Sequence, residues 1–324
     1  MALNINPQPY EVQGHDQFEV EAEGLGRYTI DVSVPANIAE GDTLPVILVT
    51  DGNLFFDIAH TVTHGRGQQL GSMLPPCVLV GVGYPLDEGN ASFYARRNYD
   101  FHDAWEMKDP LGQTLHGIFT AMKTAEGKPE LEMHAGGAPR FQSFLSDEFL
   151  PELAEHYPID LNGRHTLIGD SSGGHFVLRT MFDPNSPFKN YVCISPGFGS
   201  ALDSIKEREA AYAAEHDALD VDLFLCSGAI EIDESAVNGL CRFGSGIMWV
   251  TEQMAIRSWP SAKVHWEVMN YEDHRSIAPR AIAAGLRSVF RRRPGVHQEE
   301  LAAVAAEALA AMGLEGAEAN AKQQ

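Results

Sequence analysis

Cysteine is scarce in this chain: Cys77, Cys193, Cys226 and Cys241 are the only four in 324 residues. None forms a C-x-x-C pair, so neither a zinc knuckle nor a dithiol motif is supported. Three of them sit in short apolar runs (PPCVLVGVGY, NYVCISPG, DLFLCSGA) and read as buried thiols that behave as small hydrophobes. Positive charge is scarce too. Lys and Arg number 23 against 45 Asp and Glu, a formal charge of −22. A surface so acidic repels phosphate backbones and anionic headgroups, which argues against nucleic acid and membrane partners. No apolar run approaches the ~18 residues of a membrane span. The stretch MALNINPQPYEVQG lacks the basic-then-apolar order of a secretory signal. The expectation is a soluble, cytoplasmic protein.

What is present is a globular composition, 44% apolar and 21% charged, in a chain long enough to bury a large core without disulfides or metal. There is no internal repeat. Strand-like runs at Arg27 to Val34, Pro45 to Thr50, Cys77 to Tyr84, His165 to Ile168, Tyr191 to Ile194, Leu223 to Cys226 and Lys263 to Met269 alternate with helical patterns. Several of these runs are apolar throughout, as strands covered by helices on both faces must be. Helices are expected from about Phe141 to His156, Ser172 to Phe182, Cys241 to Ser258 and Ser276 to Phe290. In the first of these, Phe141, Phe144, Leu145 and Phe149 share one face. The alternation predicts an α/β fold, a mostly parallel doubly wound sheet with helices on both faces.

Residues 85–140 stand outside that rhythm. They are rich in Gly, Pro, His and aromatics, poorly periodic, and read as inserted loops or a lid on the substrate side. The expected organisation is a catalytic domain over 1–294 and a C-terminal segment over 295–324. That segment carries an Ala-rich helix near Gln298 to Met312 and a flexible polar end. Its thin apolar stripe (Leu301, Val304, Leu309, Met312) suits packing on the domain or on a partner subunit, which leaves a homo-oligomer open.

The sharpest motif is Gly169-Asp170-Ser171-Ser172-Gly173-Gly174, between the strand HTLIG and a helical pattern. That is the context of a G-x-S-x-G elbow, in which glycines allow a tight turn and the serine projects from its tip. Ser171 is the candidate nucleophile, and the N–H of Ser172 points where an oxyanion would form. A nucleophilic serine needs a base and a group to orient that base. His274, 103 residues further on in Asn270-Tyr271-Glu272-Asp273-His274-Arg275-Ser276, lies between the last strand and the last helix, where the base of such a site belongs. The acid is expected after the strand ending at Cys226, where Glu231, Asp233 and Glu234 offer carboxylates. Glu231 is favoured, with Asp233 the alternative sharing its face if the segment stays extended. Asn53 or Leu54, after Asp51-Gly52, would supply the second oxyanion N–H. Phe55 and Phe56 would wall an acyl pocket or fill the core. His134-Ala135-Gly136-Gly137 has the letters of an oxyanion loop in the wrong place, and reads as a helix start.

The runs FQSFLSDEFLPELAEHYPID, HTLIGDSSGGHFVLRTMF and FKNYVCISPG, with LVTDGNLFF, VGVGYP, ARRNYDF, SGAIE and EDHRSI, resemble the esterase family of α/β-hydrolases over about residues 15–290. That family includes enterochelin esterases, S-formylglutathione hydrolases and mycolyltransferases. The resemblance implies an α/β-hydrolase fold and ester hydrolysis without a cofactor, on a small-molecule ester. It maps the nucleophile onto Ser171, the base onto His274 and the acid onto Glu231, three residues after Gly228. It also places Arg97 and Asp100 along the approach to the site, where a structural ion pair tying down the long loop is the other reading.

The expected activity is that of a serine carboxylesterase working through an acyl-enzyme on small or short-chain acyl esters. The alternatives are a siderophore lactone esterase, acyl transfer to another acceptor, and a non-catalytic hydrolase fold. A siderophore esterase acting on a trianionic iron complex would be expected to offer a basic site. Arg96, Arg97, Arg140 and His102 are the candidates for such a patch.

Overall fold

The computed structural model describes residues 14–35, 38–64, 74–233 and 236–290. The expected tail helix near 298–312 and the candidate acid Glu234 lie outside them. Eight strands form one sheet: β1 (His15–Ala22), β2 (Gly26–Ser33), β3 (Val46–Thr50), β4 (Val78–Gly83), β5 (His165–Asp170), β6 (Phe188–Ile194), β7 (Asp222–Gly228) and β8 (Lys263–Met269). Their order is β1-β2-β4-β3-β5-β6-β7-β8. Neighbours from β4 through β8 run parallel, while β2 pairs antiparallel with both β1 and β4. The sheet is the mostly parallel one that the continuous apolar runs predict, and every residue of β3, β4 and β5 is buried.

Eleven α-helical segments among the described residues fill the connections: α1 (Gly52–Thr63), α2 (Gly89–Phe101), α3 (Pro110–Ala125), α4 (Ala138–Ser143), α5 (Leu150–Ala154), α6 (Ser172–Met181), α7 (Leu202–Glu215), α8 (Ala229–Asp233), α9 (Ala236–Cys241), α10 (Phe243–Arg257) and α11 (Ile277–Val289). Successive side chains of a strand face opposite layers. On β6, Cys193 meets the carbonyl of Gly174 in α6 at 3.2 Å. Its neighbour Val192 lies against Gly285 of α11, where an added Cβ would stand 2.4 Å away. The two helices therefore cover the two faces.

Two expectations need correction. Residues 85–140 are not loops, because they hold α2 and α3. α2 turns Asn98 and Asp100 inward along with Ala91, Ala95 and Phe101, so its buried face carries no clean apolar period. The segment is anchored at Asp103, which accepts from Arg179 Nε (3.0 Å) on α6 and from Arg208 Nη2 (2.7 Å) on α7. The helix expected over 141–156 begins at Ala138 and passes through a π-helical turn, Phe144–Phe149, before α5. Pro151 brings no N–H to the ladder, and the Leu150 N–H reaches back five residues to Leu145.

Candidate active site

The carboxyl ends of β3, β5, β7 and β8 lie along one edge of the sheet, and each leads directly into a segment that carries a candidate residue. At the end of β5 the chain turns sharply into α6 with Ser171 at φ 58°, ψ −117°, a conformation that a side-chain-bearing residue rarely adopts. The turn is over-determined. Ser171 N–H donates to Ile194 O (3.0 Å), and Ser171 O accepts from His175 N (3.0 Å) and Gly197 N (3.1 Å). Glycine is needed on either side: a Cβ on Gly169 would stand 2.3 Å from Gly173 O, and one on Gly173 2.6 Å from Thr50 Oγ1. Ser172 opens α6, so its N–H has no acceptor within the helix.

His274 sits in the turn between β8 and α11. Asp273 holds that turn, its Oδ1 accepting from the N–H groups of Arg275 (2.7 Å) and Ser276 (2.9 Å). These backbone bonds, that of Ser276 first, hold the Asp273 carboxyl below its ordinary range. His274 Nε2 lies 3.0 Å from Ser171 Oγ, and its Nδ1 makes a short contact with Glu231 Oε1. Glu231 is wholly buried, and its other oxygen accepts from Ser195 Oγ (2.7 Å) and Gly228 N (2.5 Å). The Phe243 ring packs 4.8 Å from the imidazole. Burial pushes the His274 pKa down, but the hydrogen bond to Glu231 and the charges of Asp170 and Glu231 outweigh it and raise the value above its ordinary one.

Asp233 is not brought to this set. The sequence reading lets Glu231 and Asp233 share a face only if the segment is extended. Instead the segment is the short helix α8, in which residues two apart point to different sides. Glu231 turns inward and Asp233 is exposed.

The turn from β3 into α1 forms the other wall. The N–H groups of Leu54 and Phe55 both donate to Asp51 O, at 2.8 and 3.1 Å, so the expectation for Leu54 as an oxyanion donor is corrected. Asn53, second residue of α1, has no acceptor for its N–H within the helix. Its side-chain Oδ1 accepts from Tyr84 N at 3.4 Å. Phe55 is half-buried, and Phe56 is a core residue 4.7 Å from the His15 ring.

Arg97 and Asp100 do not line an open approach. Arg97 makes a two-pronged ion pair with the fully buried Asp51 (2.7 and 2.8 Å) and reaches Asp170 O at 3.5 Å. Asp100 is buried and accepts from the hydroxyls of Tyr28 (2.7 Å) and Tyr84 (3.1 Å), burial pushing its pKa up to about 6. The basic patch is also absent from its expected place. Arg96 is bound to Glu88 and Arg140 to Glu148, while burial pushes the His102 pKa down to about 4.

Sequence reasoning passed over Asp51, Asp170, Ser195 and Phe243. Asp51 and Ser195 do carry a signal, since each directly follows a buried strand and precedes glycine or proline (T-D-G, I-S-P-G); in the structure both adopt a positive φ. Among the described residues no group of His, Cys, Asp and Glu is placed to hold a metal ion, and no helix is long and apolar enough to cross a membrane.

Comparison with known proteins bears on the fold and the activity. The family model described as "Putative esterase" matches residues 122–274. The ferri-bacillibactin esterase of Bacillus subtilis is 25% identical over 271 residues, covering 80% of this chain and 83% of its own. The siderophore enterobactin esterase of Emericella nidulans is 28% identical over 195 residues, covering 58% of this chain and 59% of its own. The crystal structure of the BES protein from Bacillus cereus superposes with a TM-score of 0.68 at 24% identity, over 90% of this chain and 100% of that one. The family model and the two relatives make this chain an ester-hydrolysing enzyme, and the shared fold is of the α/β-hydrolase type.

Proposed function

We propose that the chain hydrolyses the ester bonds of a siderophore, with Ser171 as nucleophile, His274 as general base and then acid, and Glu231 as the group that orients His274. One observation carries the chemistry: a continuous path from Ser171 Oγ through both ring nitrogens of His274 to the buried Glu231. With Nδ1–H donated to Glu231, Nε2 is free to accept the Oγ proton. Oγ bonds to the ester carbon, the carbonyl π pair moves onto oxygen, and the proton rests on Nε2. The N–H groups of Ser172 and Asn53 receive the oxyanion, each worth about 3 kcal/mol. Collapse expels the alcohol, which takes the Nε2 proton. Water then repeats the sequence on the acyl-enzyme.

Two relatives named as siderophore esterases support the substrate class over simple short-chain esters. Arg242 and Arg275 supply positive charge for an anionic substrate at this edge. Both are exposed, make no close ion pair with a described carboxylate, and adjoin Phe243 and His274 in sequence.

The test compares wild type and Ser171→Ala on an enterobactin-type trilactone and on p-nitrophenyl butyrate, with products identified by mass. The expected result is stepwise opening of the trilactone, faster than release of p-nitrophenol, and a loss of at least about a thousandfold in the variant. Equal activity of the two proteins would overturn the role of Ser171. An intact trilactone beside rapid p-nitrophenyl ester cleavage would overturn the substrate.

A further inference from the structure

The mechanism above leaves one carboxyl at the site without a task. Asp170 is the last residue of β5 and directly precedes Ser171; it is 7% exposed. Neither of its carboxyl oxygens accepts a hydrogen bond from any described residue, and Oδ1 is completely enclosed. Arg97 makes no hydrogen bond to this carboxyl: the two prongs of its guanidinium hold Asp51 and touch Asp170 only at its main-chain oxygen. The turn itself does not need an acid, because backbone bonds and the flanking glycines fix it. A buried carboxyl with no donor is costly, and a neutral side chain of the same size would avoid that cost.

The charged groups that face Asp170 are His274 from the β8–α11 turn, Arg97 from α2, Glu231 from α8 and Asp51 from the β3–α1 turn. Arg97 is held by Asp51, and its fixed positive charge also acts on Asp170 throughout the reaction. Among these groups only His274 changes charge during the reaction, from neutral imidazole to imidazolium.

We propose that Asp170, the residue next to the nucleophile whose Oγ lies 3.0 Å from His274 Nε2, is a second carboxylate for His274, a positioning residue whose negative charge stabilises the imidazolium formed as Ser171 attacks. This rests on the assignment of Ser171, His274 and Glu231 made above. Burial raises the Asp170 pKa to about 7, and the neighbouring His274 charge lowers it. In the resting site at neutral pH the acid and carboxylate forms of Asp170 are therefore both populated. When the Ser171 proton moves to Nε2, the new positive charge favours the carboxylate, and any proton on Asp170 leaves to water. When the leaving alkoxide takes the Nε2 proton, Asp170 can be reprotonated. No bond is made to its oxygens.

The experiment is the pH dependence of kcat and kcat/KM for Asp170→Asn and Asp170→Ser against wild type, with the His274 Nδ1–H followed by proton NMR. Both variants should keep KM. At about pH 8.5 kcat/KM should fall about tenfold, the two profiles should meet near about pH 5.5 where Asp170 is protonated, and His274 should titrate lower. A variant profile that differs from wild type by one constant factor at every pH, with His274 titrating unchanged, overturns the proposal.

Carbon-detected titration of the Asp170 carboxyl in wild type is a check that needs no variant. Ionisation near neutrality coupled to a step on His274 is expected. Ionisation in the ordinary carboxylate range with no response of His274 overturns the proposal. The underlying assignment is judged separately by Ser171→Ala: if that variant stays active the triad reading fails, whatever Asp170 does.

Discussion

Two turns at the same edge of the sheet use one backbone device for opposite ends. After β3, Asp51 takes φ 55°; after β5, Ser171 takes φ 58°. Both turns lead from a buried strand into a helix, and both have glycine where a Cβ would strike neighbouring backbone. At the elbow the strained residue keeps its side chain available, and among the described residues its oxygen meets only His274. At Asp51 the strained residue is wholly buried and gripped by Arg97, so what the turn presents is the N–H row at the start of α1. A positive φ at a strand end therefore marks a site segment without saying which atom acts. The side chain's partners decide that.

The comparison is broken most severely at the reacting end. Glu231→Gln should keep the fold and lower kcat by about ten-thousandfold, because a neutral amide neither fixes the Nδ1–H tautomer nor balances the imidazolium. Asp233→Asn, on the exposed side of the same short helix, should leave kcat within about twofold. Steady-state hydrolysis by the two variants measures both effects. A dead Asp233→Asn would mean that α8 rearranges in solution.

The supporting turn should respond in stability. Arg97→Ala strands Asp51 as a buried, unpaired carboxylate, and loss of one partner of such a pair costs about 3–5 kcal/mol. Urea unfolding should show that loss, and adding Asp51→Asn should recover part of it. A loss below about 1 kcal/mol in the single variant would show that the β3–α1 turn holds without its clamp.

A third change lies between the two. Ser195→Ala removes the 2.7 Å hydrogen bond to Glu231 Oε2 and leaves Gly228 N–H as the other donor to that oxygen. Hydrogen bonds to charged groups contribute about 1.5–3 kcal/mol. If that shows as misplacement of Glu231, kcat falls by about tenfold or more while KM holds. An unchanged kcat would mean that Gly228 and the His274 contact suffice.

How much of this was legible follows from which forces set each part. The parallel strands were readable because burial on both faces forces unbroken apolar runs such as Val46–Thr50. Ser171 and His274 were readable because the elbow demands glycines at fixed offsets and the histidine must follow the last strand. Glu231 was separable from Asp233 only once α8 was seen, since an extended and a helical segment place residues two apart differently. α2 was lost because it buries Asn98 and Asp100, whose partners lie far away in sequence, such as Tyr28 for Asp100. α3 did carry a local sign: Asp109 caps the helix by accepting from Gly112 N, with Pro110 in its first turn. The Arg97–Asp51 pair spans 46 residues, and no local pattern encodes it.

The smallest expected effect concerns charge at the mouth. In a chain this acidic most described Lys and Arg side chains face a carboxylate; Arg97, Arg164, Arg208 and Arg257 are examples. Arg242 and Arg275 make no ion pair with a described carboxylate, and they adjoin in sequence the two rings, Phe243 and His274, that pack together beside the elbow. Exposed charges act on a ligand through solvent, so each should change KM only several-fold at low salt and less as the Debye length shrinks. Arg242→Gln together with Arg275→Gln should therefore raise KM for an anionic siderophore about three- to tenfold at about 20 mM salt, and by less than twofold at about 500 mM. kcat should stay constant, and so should KM for neutral p-nitrophenyl butyrate. An equal rise for the neutral ester would mean that the arginines shape the pocket and do not read charge. No rise for either substrate would leave the anionic ligand to be held deeper, where the cations are already paired.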